Sequence, residues 1–364
     1  MKAVYLVNLR DASASGAQRL WALRQCGVEV FPLDKQAYAP HFERWAGYAA
    51  KVLRQPQLTL DAARMERDLL ALCQQVRPDI VWLEWAQEIG PTVLRQLRQL
   101  NPKPYIISFQ DDNPWGDRLG DRWMWRKYFE LVPEIDLHLV KRESDKDNLR
   151  ALGAHTFRRW DHGIYSPLFH PLEAGSRKKY AISFVGTAME QRGDFIAQLL
   201  DNKIDVHVFG TLWERRFSSV VRRYPHHFHP PVRGTDYAAT IQASQLSLLM
   251  VSDSNKDDWT MRSYEVPGCA TAALVCQTPF HEQMFTHGQT GFLYSDVQEC
   301  IAISQRVLAE PATALAVGQQ AAHTFRQRKW LLEERMRDLL VELAAQQIIN
   351  YQPALLSAYA PQAG

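Results

Sequence analysis

Arg262 and Glu265 stand three residues apart in the segment DDWTMRSYEVPGCATAALVC, just ahead of a Pro267-Gly268 break and an apolar run from Thr271 to Cys276. A carboxylate at the start of a short helix, Arg262 to Val266, can accept two ribose hydroxyls. A neighbouring guanidinium can grip a pyrophosphate through two parallel N–H···O bonds. The run after the break has the β-rich, wholly apolar composition of a buried parallel strand. In that order the three pieces read as a pocket for a sugar nucleotide.

Elements able to position such a pocket are spaced along the whole chain. Tyr180 to Gly186 reads as a short strand ending in glycine, and the apolar spacing of Phe195, Ile196, Leu199 and Leu200 predicts a helix after it. The glycine lets backbone approach a ligand, and the free N–H groups of the helix start favour a phosphate. Ile204 to Gly210 and Leu246 to Val251 read as further strands. In the N-terminal half, strand patterns at 3–9, 28–33, 80–83, 105–109 and 135–140 alternate with helix patterns at 15–26, 61–76, 92–100 and 145–152. Alternation of this kind predicts a parallel sheet. Ligands gather at the carboxyl ends of strands in open sheets, which selects Asn8, Glu84 and Asp111.

Composition sets the outer limits. At 364 residues the chain has room for two domains, each with its own core. Its 42 basic and 40 acidic residues give a formal charge of +2, no whole-molecule field for nucleic acid. Arg215-Arg216 and Arg222-Arg223 are local basic clusters that allow at most peripheral contact with a membrane. Five scattered cysteines without a Cys-x-x-Cys pair indicate a reducing compartment, and the opening AVYLVNL is too short for a signal-peptide core. The expectation is a cytoplasmic protein. His226, His227 and His229 lack partners at zinc spacing and read as a Pro-flanked surface loop, so no metal is expected. No Gly-x-Gly-x-x-Gly follows a strand, which argues against a redox Rossmann enzyme.

The Arg262-x-Tyr264-Glu265 stretch with Gly268-Cys269 resembles the C-terminal domain of GT-B glycosyltransferases, most closely the group related to spore maturation protein B (CgeB-like). The first half resembles the acceptor domain of that group in Ser108-x-x-Asp111-Asp112-x-Pro114, Asp136-Leu137, Lys141-Arg142, Gly153-Ala154 and the exit from Tyr165 to Pro171. His323-Thr324-Phe325 and Arg328 extend the likeness to about Trp330. The resemblance implies an α/β GT-B fold of two Rossmann-like parallel-sheet domains facing across a cleft. Residues 1–165 would form the acceptor side, 166–179 the linker and 180–328 the sugar-nucleotide domain; 329–364 would be a helical segment packing back on the first domain. Gly186 and Arg192-Gly193 would reach the diphosphate, Arg262 and Glu265 the phosphate and ribose, and Trp213 with Val232 the base. Asp257, eight positions before Glu265, stands where the family's pair of acids carries a glutamate.

The implied activity is glycosyl transfer from a nucleoside-diphosphate sugar, with UDP as first choice and GDP or dTDP as alternatives. The acceptor would be a glycan, a protein or a small molecule. Arg192, Arg262 and helix N-termini would neutralise the leaving diphosphate without a metal. An inverting enzyme needs a base, Asp111 first and Glu84 second. A retaining one lets the departing phosphate oxygen take the proton. A sugar-nucleotide epimerase of the same fold and a non-catalytic binding relative are the rival readings.

Overall fold

The runs KAVYLV and IVWLE are buried almost from end to end, as strands covered on both faces must be. They are β1 (Lys2–Val7) and β3 (Ile80–Glu84) of a six-stranded parallel sheet ordered β2-β1-β3-β4-β5-β6, with β2 Glu29–Asp34, β4 Tyr105–Gln110, β5 Leu137–Val140 and β6 Phe157–Arg159. The computed structural model describes residues 1–9, 14–39, 60–116, 121–172 and 178–353, with a few positions between 45 and 53. A second parallel sheet runs β12-β11-β10-β7-β8-β9. Its strands are β7 Tyr180–Val185, β8 Val206–Phe209, β9 Phe228–His229, β10 Ser244–Leu249, β11 Ala272–Cys276 and β12 Phe292–Tyr294. The chain is α/β with two Rossmann-like sheets.

Each sheet reverses its strand order once, between β1 and β3 in the first and between β7 and β10 in the second. At such a point the loops leave in opposite directions and open a crevice at the carboxyl ends of the strands. The candidate residues cluster at these two places.

The chain divides into one unit of residues 1–161 with 332–364 and another of 162–331. Of the sequence-expected linker 166–179, Leu168 and Phe169 are buried in the second unit with Tyr237 and Cys269, while residues 173–177 lie outside the described ones. The helix Leu332–Ala345 belongs to the first unit and buries Leu332, Met336, Leu339, Leu340 and Leu343. There Cys26 Sγ donates to Glu333 O at 3.4 Å and Tyr351 OH to Cys26 O at 3.0 Å.

Two local expectations are corrected. Pro267 does not end its helix, which runs Arg262–Gly268. A proline there forfeits one donor, and the helix closes past it through Cys269 N to Glu265 O at 3.1 Å. The segment about His229 is a strand, β9, too short to leave an alternation in the sequence.

Candidate functional site

The helix that carries Arg262 and Glu265 is anchored to β11. Thr260 N donates to Ser263 Oγ at 3.1 Å, Ser263 Oγ meets His281 Nε2 at 2.9 Å, and His281 Nδ1 lies 2.7 Å from Cys276 O. Glu265 is 3% exposed and accepts a short hydrogen bond from Tyr237 OH, on the helix Gly234–Gln242. Burial pushes its carboxyl up to about 7, against the pull of the Tyr237 hydrogen bond and the Arg262 charge.

Arg192 opens the helix Arg192–Asp201 and lies at the reversal point of the second sheet. Its Nη1 donates to Thr187 O, after β7, at 3.1 Å, and its Nη2 to Val251 O, after β10, at 3.2 Å. Burial, and then the like charge of Arg262, push the guanidinium below its usual range; Glu190 and Asp257 oppose them. The Nε atoms of Arg192 and Arg262 are both buried and meet no acceptor. Two neighbouring cations with unspent donors, at the carboxyl ends of parallel strands, form a receptor for a multiply charged anion.

The other expected donor-side residues differ in what they do. Gly186 N donates to Phe209 O at 2.9 Å, and a Cβ on Gly210 would stand 1.9 Å from Gly186 O, so only glycine lets these loops meet. Trp213 was expected against a base. Instead it is 4% exposed, packed among Phe184, Phe217 and Phe228, with Nε1 donating to Gly186 O at 2.9 Å. It supports the loop from beneath and leaves no open ring face for stacking. Gly193 makes room for Phe217, whose Cδ1 would lie 2.1 Å from an added Cβ. Val232 packs against the cluster that holds Tyr237 and Trp259. Asp257 accepts from Asn255 Nδ2 at 2.9 Å.

The first sheet's reversal point opens into a cavity of about 800 Å³, lined among others by Asn8, Ser15, Lys35, Glu84, Trp85 and Glu88. Glu84 is 4% exposed and heavily engaged. Its Oε1 accepts from Arg19 Nε at 2.6 Å, Tyr5 OH at 2.5 Å and Trp82 Nε1 at 3.2 Å, and its Oε2 from Arg19 Nη2 at 2.8 Å. Burial works against the charge on Arg19, but Glu84 and then Asp111 outweigh it and hold the guanidinium above its ordinary range. With both oxygens engaged by these donors, Glu84 stands as an organiser of the cavity floor and not as the group that takes the acceptor proton. Asp111 lies just after β4, its Oδ2 taking hydrogen bonds from Ser15 Oγ at 2.9 Å and Arg19 Nη2 at 3.3 Å. Its side chain is 21% exposed, within reach of a ligand. Trp85 holds a φ of 51°, an outlier for a bulky residue, and Lys35 Nζ donates to its carbonyl at 2.7 Å.

Residues 191–341 match the family described as "Glycosyl transferase-like". Those residues form a glycosyl transferase-like domain, and the chain as a whole has the GT-B fold. Its fold is similar to that of sucrose-phosphate synthase from Thermosynechococcus elongatus, with a TM-score of 0.66 at 14% identity over 95% of this chain and 99% of that one. Anabaena HepE in complex with UDP-glucose matches at 0.64 and 10% identity over 95% and 100%. The α,α-trehalose-phosphate synthase (UDP-forming) from Burkholderia vietnamiensis matches at 0.60 and 14% over 94% and 99%. No curated protein sequence matches the chain. Among the described residues, no single helix is long and apolar enough to cross a membrane.

Three residues of these candidate sites were missed in the sequence. Arg19 lies on the buried face of the helix Ser15–Gln25, a charge at an apolar position that could have flagged it. Tyr237 carries the only polar tip on its helix that reaches Glu265 among the described contacts. Glu190 latches two loops: Oε1 accepts from Ser252 Oγ and Ser254 Oγ, each at 2.7 Å, and Oε2 from Asp253 N at 3.2 Å. Burial alone would raise its carboxyl, yet the Ser254 and Ser252 hydrogen bonds outweigh burial and lower it. Its partners lie more than sixty positions away, so no local pattern marks it.

Proposed function

We propose that the second unit binds a nucleoside-diphosphate sugar at the carboxyl ends of β7 and β10, and that the enzyme transfers the sugar to an acceptor held in the first unit's cavity. The observation that carries this reading is the Arg192–Arg262 pair, two mutually repelling cations with unpartnered buried Nε–H groups beside the buried Glu265. The diphosphate takes up those donors and relieves the repulsion. As charge grows on the leaving group, the same contacts strengthen, which lowers the barrier without a divalent cation. Glu265 accepts the ribose hydroxyls and fixes the anomeric carbon. UDP is the proposed nucleotide, supported by the UDP-glucose complex of the Anabaena protein and the UDP-forming synthase. The Ser108 to Pro114 pattern supports membership of the spore maturation protein B-like group. Five unpaired thiols fit the cytoplasm.

The donor site carries its own pH signature. The fold favours the neutral form of Glu265, whose carboxyl moves from an ordinary 4.5 to about 7. Its contribution therefore makes stability fall as pH rises between those values and level off above them. Ribose binding needs the ionised form. UDP-glucose affinity is thus expected to weaken by about tenfold per pH unit below pH 7, and Glu265→Gln to remove that slope. The diester is the right probe because a terminal phosphate titrates itself near pH 6. An unchanged slope in the variant would place the titrating group elsewhere.

Asp111 is the proposed base that takes the acceptor proton in an inverting transfer. Asp111→Asn is expected to slow acceptor-dependent UDP release by roughly 10²–10⁴-fold, with UDP-glucose affinity unchanged. An undiminished rate would remove Asp111 from the chemistry and favour proton transfer to the departing phosphate oxygen. Release of an altered sugar nucleotide with no acceptor consumed would overturn transfer in favour of epimerisation.

A further inference from the structure

The histidines that looked partnerless in the sequence find partners across a strand pair. β9 runs parallel to β8, with Val208 opposite Phe228 and Phe209 opposite His229. That register brings Asp205 and His207 to His227 and His229, some twenty positions later in the chain. Ligand atoms of Asp205, His207 and His227 all lie within 4.8 Å of one another.

The local geometry is that of a cation site. His207 Nε2 is 3.1 Å from Asp205 Oδ1, near the ligand–ligand edge of about 3.3 Å that a tetrahedron with ~2.0 Å metal bonds requires. His227 Nδ1 is 3.6 Å from the same oxygen and 3.1 Å from Val206 O, so a cation held between the two side chains would replace the Nδ1–H bond to that carbonyl. His207 Nδ1 is 2.8 Å from His229 Nε2. A proton donated along that bond leaves the Nε2 lone pair of His207 facing the Asp205 carboxylate. His229 is itself fixed by stacking on Phe209, with centroids 4.5 Å apart and planes at 18°. It therefore does for His207 what outer partners do for metal-bound imidazoles, setting the tautomer and the ring plane.

We propose that Asp205, His207 and His227 form a transition-metal site, suited by its two imidazoles and one carboxylate to zinc, that fastens β9 to the edge of the second sheet. Nitrogen ligands of this kind disfavour magnesium and calcium. Three protein ligands leave the remaining position to water. β9 has two residues and a short ladder to β8, so a metal crosslink there adds what so few hydrogen bonds cannot. Asp205 precedes β8, at the opposite end of that strand from Gly210 and the donor loops, so the role is structural and independent of the donor reading.

The test is isothermal titration of the full chain, stripped with chelator and dialysed, with zinc chloride and separately with magnesium chloride. One equivalent of zinc is expected to bind, with a rise in Tm and no response to magnesium. His227→Ala and Asp205→Asn are each expected to weaken zinc binding at least tenfold, and His229→Ala by roughly 10–100-fold through the orientation of His207. Asp205 is 54% exposed, so Asp205→Asn keeps the fold and should still bind UDP-glucose as the parent does. No zinc uptake, or uptake that both Asp205→Asn and His227→Ala leave unchanged, would overturn the proposal.

Discussion

Arg262→Ala is expected to lower the rate of UDP release from UDP-glucose by roughly 10²–10³-fold while the protein stays folded, because the lost donor acts where negative charge develops. The guanidinium stands beside Arg192, whose charge it disfavours, and its Nε–H is buried without an acceptor. That is an arrangement a protein keeps for a ligand. Removing Arg262 relieves repulsion, so Tm should change by only a few degrees even as turnover collapses. The split between activity and stability is the diagnostic result. A large fall in Tm with a proportionate fall in activity would mark Arg262 as a structural residue. The check is a rate assay run beside thermal unfolding, with Arg262→Lys retaining part of the rate because a point charge replaces the two-pronged one.

Arg19→Ala should have the largest effect on stability, about 3–5 kcal/mol, since it leaves Glu84 buried and without its cation. The side chains of the pair are 0% and 5% exposed, and the guanidinium also covers the Phe109 ring at 4.4 Å. Desolvation has already been incurred for both charges, so breaking the pair is far worse than never having had it. The double variant Arg19→Met with Glu84→Gln should recover much of the loss, because Tyr5 and Trp82 can still donate to the amide oxygen while the buried charge is gone. Urea unfolding of the two single variants and the double variant measures this. A loss below 1 kcal/mol in Arg19→Ala would contradict the network as described.

What the sequence revealed and what it hid follow physical lines. Long apolar runs such as Ala3 to Val7 and Ile80 to Leu83 announce parallel strands because burial on both faces leaves no room for alternation. The positions of Arg192, Arg262 and Glu265 were legible because each stands at a strand–loop–helix junction whose order is visible in one dimension. Gly193 and Trp213 were misassigned in role: a glycine that admits Phe217 and a tryptophan that props Gly186 look, in sequence, like ligand contacts. Glu84 was legible by position but not by state, since only the fold reveals that Arg19, Tyr5 and Trp82 converge on it. The approach of His207 to His227 depends on the pairing of β8 with β9, and the two residues of β9 are too few to signal a strand.

The central claim is that Glu265, with the two arginines, makes the nucleotide site. Isothermal titration of the full chain with UDP-glucose at pH 8, beside Glu265→Ala and with GDP and dTDP as controls, tests it most directly. The parent chain is expected to bind one uridine nucleotide per molecule, and Glu265→Ala to lose at least two orders of magnitude in affinity as the hydrogen bonds from both ribose hydroxyls to a charged acceptor disappear. Equal affinity in the two proteins, or a folded parent chain that binds none of the three nucleotides, would contradict it.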